Sequence, residues 1–342
     1  MREHRSADLV FPLRRRCRTV MPQTMRFRSI LALSIAVFLA LIPIRVAADP
    51  PITAAAFTPD GDGVIVGSQT GLRLFSWPSL SDAVPLSTQL ENIHHIAFSP
   101  NGQRLLISGG VPGESGTIEI QKWPDRVLDS TIPLHDDVIY QAAWSPDGAS
   151  IATASADGFC KVINAETGQV STLFSGHSRP VLTIEYLDAD HCVSGSVDQT
   201  IRLWKVSDGG LLRTLNNHVN TVSVLARQAP GADRNFDQIA SISEDRTVRI
   251  WQPRIGRLVK FARMPSEPQS VVWSADLQSL HVATKASMIY TIDVVSMKVT
   301  AEQTTNVGFA HELLLDSERQ LMLAAGEHGF QKIEIAKMKG LK

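Results

Sequence analysis

Ser194, His177 and Asp198 are the residue types of an acyl-transfer centre: a hydroxyl to attack, an imidazole to take its proton, and a carboxylate to orient the ring. Two features argue against that chemistry. Ser194 sits in Cys-Val-Ser-Gly-Ser, not in the Gly-x-Ser-x-Gly elbow that presents a serine nucleophile. The set also recurs as Ser241, His218 and Asp245, with serine four residues before aspartate in both copies and tryptophan, Trp204 or Trp251, six after it. A unique active site needs no second copy, and the sequence assigns no catalytic residue.

Other candidates are weaker. Asp60-Gly61-Asp62-Gly63 resembles the start of a calcium loop but lacks the closing bidentate glutamate, so it reads as a turn. His94 and His95 open a strand, and strict alternation would send their imidazoles to opposite sides of the sheet. No phosphate-cradling loop, HExxH or CxxC occurs, and no metal or cofactor is expected. Of the three cysteines, Cys17 lies near the N-terminus, while Cys160 and Cys192 fall on apolar strand patterns and read as buried free thiols.

The elements that carry these residues repeat. Aligning the strand before each Pro-Asp-Gly-like turn places Phe57, Phe98, Trp144, Tyr186, Arg227, Trp273 and Leu314 in register, 41 to 46 residues apart. Each of the seven units reads strand, turn, strand, turn, strand. Turns such as TPDGDG and SPDGA precede period-two runs such as GVIVGS and SIATAS, and a second tight turn leads into TIRLWKV or TVRIWQ. No twelve-residue stretch of the body has a helical apolar period. This pattern predicts an all-β chain of propeller blades. GGVPGESGT in unit two and QAPGADRNFDQ in unit five read as loop insertions.

Units three to five resemble the WD40-repeat family strongly, and the other four weakly. The resemblance implies a seven-bladed β-propeller and, in each full repeat, a buried tetrad. His177 would link Ser194 and Asp198 while Trp204 donates to Ser194, and His218, Ser241, Asp245 and Trp251 would do the same. Unit three has His135, Thr153 and Asp157, but Ile163 where tryptophan should stand. Units one, two, six and seven have Phe75, Gln121, Ile292 and Glu334 near that place and no matching aspartate, so those blades would rely on apolar packing and be the softer part of the ring. The family mostly binds through the rim carrying the loops before the first strand and after the second. Ala156, Arg179, Val197, Asn220 and Glu244 map there as a candidate protein-binding face.

Rings of this family are usually closed by an N-terminal strand that completes the last blade. Unit one starts at Ile52 and only MKGLK follows the last strand pattern, so a last blade of three strands, or with a stunted fourth, is expected. Its open edge could be augmented by a partner.

Charge divides the chain unevenly. The net charge is −1, but residues 1–48 hold nine Lys/Arg against two Asp/Glu, which leaves −8 on the rest. A mildly acidic body argues against nucleic acid as a partner. Arg26 and Arg28 followed by the apolar run 30–44 and Val46-Ala47-Ala48 have the layout of a secretory signal over residues 25–48. The alternative is a retained membrane anchor, although a span takes about 20 apolar residues. Residues 1–24 read as an unstructured leader or a misassigned start, Met25 being the better one, and residues 49–342 as the propeller.

The expectation is therefore an exported, non-catalytic scaffold that binds other proteins and touches a membrane only through an uncleaved N-terminal segment. The alternative is a propeller enzyme or small-ligand binder, lactonase-like, that uses the axial channel. Such a site needs inward polar side chains from several blades, and the inner strands read mainly Ala, Val, Leu and Ile.

Overall fold

Turn chemistry sets the strand spacing. At the first turn of blades 1, 2, 3 and 6, a Ser or Thr hydroxyl bonds an Asp or Asn two residues on, as in Ser145 Oγ to Asp147 Oδ1 at 2.6 Å and Ser274 Oγ to Asp276 Oδ1 at 2.6 Å. The same hydroxyl accepts the backbone N–H five residues on, which closes the loop. Asp60-Gly61-Asp62-Gly63 is one of these turns: Asp60 Oδ1 accepts from Thr58 and from the Asp62 N–H, and Gly61 supplies the positive φ of 73°.

The computed structural model describes residues 50–228 and 237–341. They form seven antiparallel sheets, each with its strands in chain order. Blades 1 to 5 have four strands, within residues 52–86, 93–135, 139–174, 181–215 and 222–263. Blade 6 (268–304) has five strands, because Lys339–Gly340 pairs with its outer strand Val299–Thr304. Blade 7 (310–334) has three, and the outer side of Gly329–Glu334 has no strand neighbour among the described residues. The C-terminal MKGLK thus completes nothing in its own blade and reinforces the one before it.

The inner strands pack in a closed ring, with Ile52–Phe57 of blade 1 against Ala310–Asp316 of blade 7. Apolar residues are buried in seven clusters, one at each blade interface. At the junction of blades 7 and 1, Ile52, Val64 and Trp77 pack on Leu323 and Ala325. This seam is polar as well. Trp77 Nε1 donates to Asp316 Oδ2, and Arg319 bonds the Gly61 carbonyl and pairs with Asp62 and Asp316.

Two expectations need correction and one is refined. The GGVPGESGT insertion is not a loose loop: it extends both strands of the hairpin to eight residues, paired out to Val111 and Ser115. In blade 7 the tryptophan place falls on Ile333, opposite Met322, not on Glu334, because Trp204 faces Cys192 in the equivalent register. Blade 2 is not held by apolar packing alone: its buried Glu119 accepts from Thr88, the Gln89 N–H and Gln121, which holds the strand connection to the sheet. Residues 1–48 and most of the unit-five insertion lie outside the described residues.

Candidate functional site

In blade 4, His177 Nδ1 lies 2.9 Å from Asp198 Oδ2, His177 Nε2 lies 2.8 Å from Ser194 Oγ, and Trp204 Nε1 donates to Ser194 Oγ at 3.2 Å. Blade 5 repeats this, with His218 at 2.8 Å from Asp245 and 2.7 Å from Ser241, and Trp251 donating to Ser241 at 2.8 Å. In blade 3, His135 bridges Asp157 and Thr153 at 2.8 Å each, and Ile163 stands across from Ile151 at the tryptophan place.

The protonation pattern follows from the partners. A carboxylate can only accept, so Nδ1–H donates to it, and Nε2 takes the serine O–H while the serine oxygen receives the indole N–H. Burial drives the His177 and His218 pKa values down despite the aspartates, which keeps both rings neutral. Burial alone would raise Asp198 and Asp245. Hydrogen bonds outweigh it and hold both carboxyls low, His177 leading for Asp198 and Thr247 for Asp245.

This is the hydrogen-bond order of a hydrolase triad, but Ser194 and Ser241 are each 0% exposed. A sealed hydroxyl cannot attack a substrate. The network instead pins a strained turn: each aspartate accepts the N–H two residues on, and the residue between has left-handed backbone, Gly158 (φ 87°), Gln199 (73°) and Arg246 (60°). Phe174 stacks flat on Trp204, with ring centroids 4.9 Å apart.

The five rim residues sit on these pinned loops. Ala156, Val197 and Glu244 are half-buried, and their backbone N–H groups bond Val138, Pro180 and Thr221 across the blade. Arg179 and Asn220 are exposed. Ala156 and Arg179 line one shallow pocket of about 220 Å³ with Phe159 and Pro180. Exposed apolar Phe159 and Val219, the latter 74% exposed, lie on the same loops and were not picked out from sequence. Their signal is an aromatic or β-branched residue in a tight turn, where nothing buries it.

A second feature overturns the expectation of an apolar channel. All seven inner strands carry a bulge at their second residue, which the strand pairing skips: Thr53, His94, Tyr140, Leu182, Ser223, Gln269 and His311. A bulge places two consecutive residues against one partner and interrupts the alternation of faces. His94 and His95 therefore both line the axial cavity and do not point to opposite sides of the sheet. Tyr140 with Gln141 and His311 with Glu312 do the same, and Glu185 and Arg227 lie on the lining too. The cavity is about 880 Å³. Among the described residues, no group of three His, Cys, Asp or Glu side chains is placed to hold a metal ion.

Comparison with known proteins agrees with the repeat. Residues 114–189 match the profile of the anaphase-promoting complex subunit 4 WD40 domain, and residues 209–252 match the WD domain, G-beta repeat. The second segment holds the blade 5 tetrad. The chain is 30% identical over 165 residues to COMPASS component SWD3 of Saccharomyces cerevisiae, covering 48% of this chain and 49% of that one. It is 27% identical to a guanine nucleotide-binding protein subunit beta of Oryza sativa subsp. japonica, over 61% of this chain and 57% of the relative. To the nuclear distribution protein PAC1 of Fusarium vanettenii it is 35% identical, over 42% and 33%. The matches thus span less than two thirds of each relative, from 33% to 57%.

Proposed function

We propose that this chain, which belongs to the WD40-repeat family, is a non-catalytic scaffold that binds other proteins through the rim over blades 3 to 5, outside the cytoplasm. The observation that carries the reading is the burial of both full tetrads beneath a rim of exposed side chains. The hydroxyl, imidazole and carboxylate groups are used up internally, while Arg179, Asn220, Phe159 and Val219 face outward on loops the tetrads hold rigid. Rigid loops lose little entropy on docking, and an exposed aromatic or β-branched residue among polar ones is the composition of an interaction patch. The relatives' names, a "component" and a "subunit", are those of parts of assemblies.

The extracytoplasmic part of the proposal rests on the Arg26/Arg28 and 30–44 pattern alone. Fractionation with N-terminal sequencing of the mature chain tests it. A chain recovered from the cytoplasm with its N-terminus intact overturns export. For the rim, affinity capture with wild-type protein and with an Arg179→Glu/Glu244→Lys variant is the test. Loss of a wild-type partner supports the face, and identical recovery removes it.

A further inference from the structure

The outermost strand of a blade presents unpaired backbone groups, and the seven blades differ in how that edge is blunted. Val84–Leu86 is three residues long and Val127–His135 nine, and each carries a proline, Pro85 and Pro133. Val170–Phe174 and Leu211–Leu215 stop at five residues, and Gly329–Glu334 at six. Val299–Thr304 is already taken by Lys339–Gly340. Arg257–Arg263 of blade 5 runs for seven residues without a proline, and among the described residues no strand lies on its outer side. It is the longest edge left open in this way.

Blade 6 shows what such an edge accepts. Its outer strand bulges at Thr300, and the tail pairs just beyond the bulge, Gly340 with Ala301 and Lys339 with Glu302. The Leu341 N–H reaches the Thr300 carbonyl at 2.8 Å. Backbone bonds hold the tail, and a lysine stands opposite a glutamate, which favours the pair. The outer strand of blade 5 bulges at the equivalent place, Val259, because Leu258 faces Trp251 and Lys260 faces Ile250. Lys260 and Phe261 therefore hold the positions that Ala301 and Glu302 hold in blade 6.

The charge on this second edge is reversed. Arg257, Lys260 and Arg263 lie along it, and Arg213 reaches over from the outer strand of blade 4, its Nε 2.7 Å from the Arg254 carbonyl. The carboxylates nearby are taken: Asp245 pairs with Arg249, and Asp188 and Asp237 pair with Arg254. Arg213, Arg257, Lys260 and Arg263 form no ion pair among the described residues. Phe261 stands among these cations, 50% exposed, with the Arg249 guanidinium 5.7 Å from its ring centre. Residues 49–342 carry 24 Lys/Arg against 32 Asp/Glu, so the edge inverts the sign of the body around it. The tail of a second copy, with Lys337 and Lys339, would meet like charge here.

We propose that the outer edge of blade 5 takes up an acidic, extended segment of a partner protein as an added antiparallel strand. An apolar residue of that segment lies opposite Phe261, an acidic residue two positions before it faces Arg263, and another just after it faces Lys260. Main-chain bonds to the edge supply affinity, and the row of cations selects the sign of the partner. The rim loops do not enter this inference, and either can fail without the other.

The test is fluorescence anisotropy of three fluorescein-labelled peptides titrated with the full chain. They are Glu-Thr-Val-Glu-Thr-Glu, the basic Lys-Thr-Val-Lys-Thr-Lys, and Glu-Pro-Val-Glu-Pro-Glu, which keeps the acidic charge and loses ladder donors. The first binds, and the other two bind at least about tenfold more weakly. Its affinity falls as salt is raised. Adding it slows amide exchange within residues 257–263. The charge reversal Arg257→Glu/Arg263→Glu, at two exposed positions, weakens binding at least about tenfold. No binding of the acidic peptide at about 1 mM, equal binding of the proline peptide, or undiminished affinity in the folded double variant overturns the proposal. Phosphatidylglycerol vesicles that hold the wild-type chain but not the double variant, with no acidic peptide bound, assign the edge to a lipid surface and overturn it too. Should the double variant fail to fold, amide exchange of the wild-type chain decides: slowing within 257–263 on peptide addition supports the proposal, and unchanged exchange overturns it.

Discussion

Trp77 on blade 1 donates its indole N–H to Asp316 Oδ2 on blade 7 at 2.7 Å, joining residues 239 positions apart in the chain. Burial would raise the Asp316 carboxyl, but the bonds from Trp77 and Arg319 keep it low. Among the described residues no strand is shared between the first and last blades, and side chains join them there.

Trp77→Phe keeps most of the packing on Phe57, Leu323 and Ala325 and removes the donor. The expected loss is about 1.5–3 kcal/mol, the range for a hydrogen bond to a charged acceptor. Thermal denaturation should show a fall in Tm of several degrees. Arg319→Ala should cost less, because that side chain is solvent-exposed and screened.

Ser194→Ala and Ser241→Ala each orphan an indole N–H and an imidazole nitrogen in a sealed site. Each should destabilise by about 2–4 kcal/mol, more than Thr153→Val in blade 3, which strands one imidazole nitrogen with no indole above it. Urea midpoints measured on the three variants give the order directly.

His177 and His218 should titrate below their unfolded value of about 6.5, which NMR of their ring C–H protons reads residue by residue. With the folded pKa depressed, the unfolded chain takes up these protons first. The stability held in the tetrads is complete above about pH 7 and is lost as pH falls through 6.5 toward the folded values. Asp198 and Asp245 add to the loss in the same direction below about pH 4.

Glu312 has the opposite sign. Burial pushes its carboxyl up to about 8, above the 4.5 of a free glutamate side chain, so the folded state holds a proton that the unfolded chain gives up. Its penalty grows from pH 4.5 upward and levels off above 8. Glu312→Gln should therefore match wild-type stability at pH 4, and its Tm should exceed the wild-type value by several degrees at pH 8. A gain that does not vary with pH would show that ionisation is not its source.

Cys160 and Cys192 are buried and unpaired, and burial pushes the Cys160 thiol up to about 12. Neither should react with a thiol reagent at pH 8 in the native protein, and both should react on unfolding. Counting modified peptides by mass spectrometry checks this.

The tetrads could be read from sequence because they need specific residues at fixed spacing: Ser194, Asp198 and Trp204 recur with Ser241, Asp245 and Trp251. The axial cavity could not. A bulge adds a residue to a strand without changing its composition, so Gln-Ala-Ala-Trp at 141–144 reads as plain alternation although Tyr140 and Gln141 both turn inward. Ala, Val, Leu and Ile dominate the inner-strand reading because they hold most of the later strand positions, where they pack between sheets, while the bulged pair at the start of each strand carries most of the polar residues. In blade 7 the sequence places the tryptophan position only to within a residue, near Glu334, because without a tryptophan only the pairing of Ile333 with Met322 and of Glu334 with Leu321 fixes the register. Whether Lys339–Gly340 would pair with its own blade or the preceding one is a matter of tertiary geometry, and two residues carry no signal for it.

That last pairing gives the molecule a mechanical polarity. Lys339 and Gly340 reach back past blade 7 to the outer edge of blade 6, fastening blade 7 to its predecessor like a buckle. A pull on the C-terminus loads two short backbone rungs at the periphery first and reaches the inner strands only after they tear. A tag or fused domain placed there would hang from the rim of blade 6, clear of the mouth of the channel.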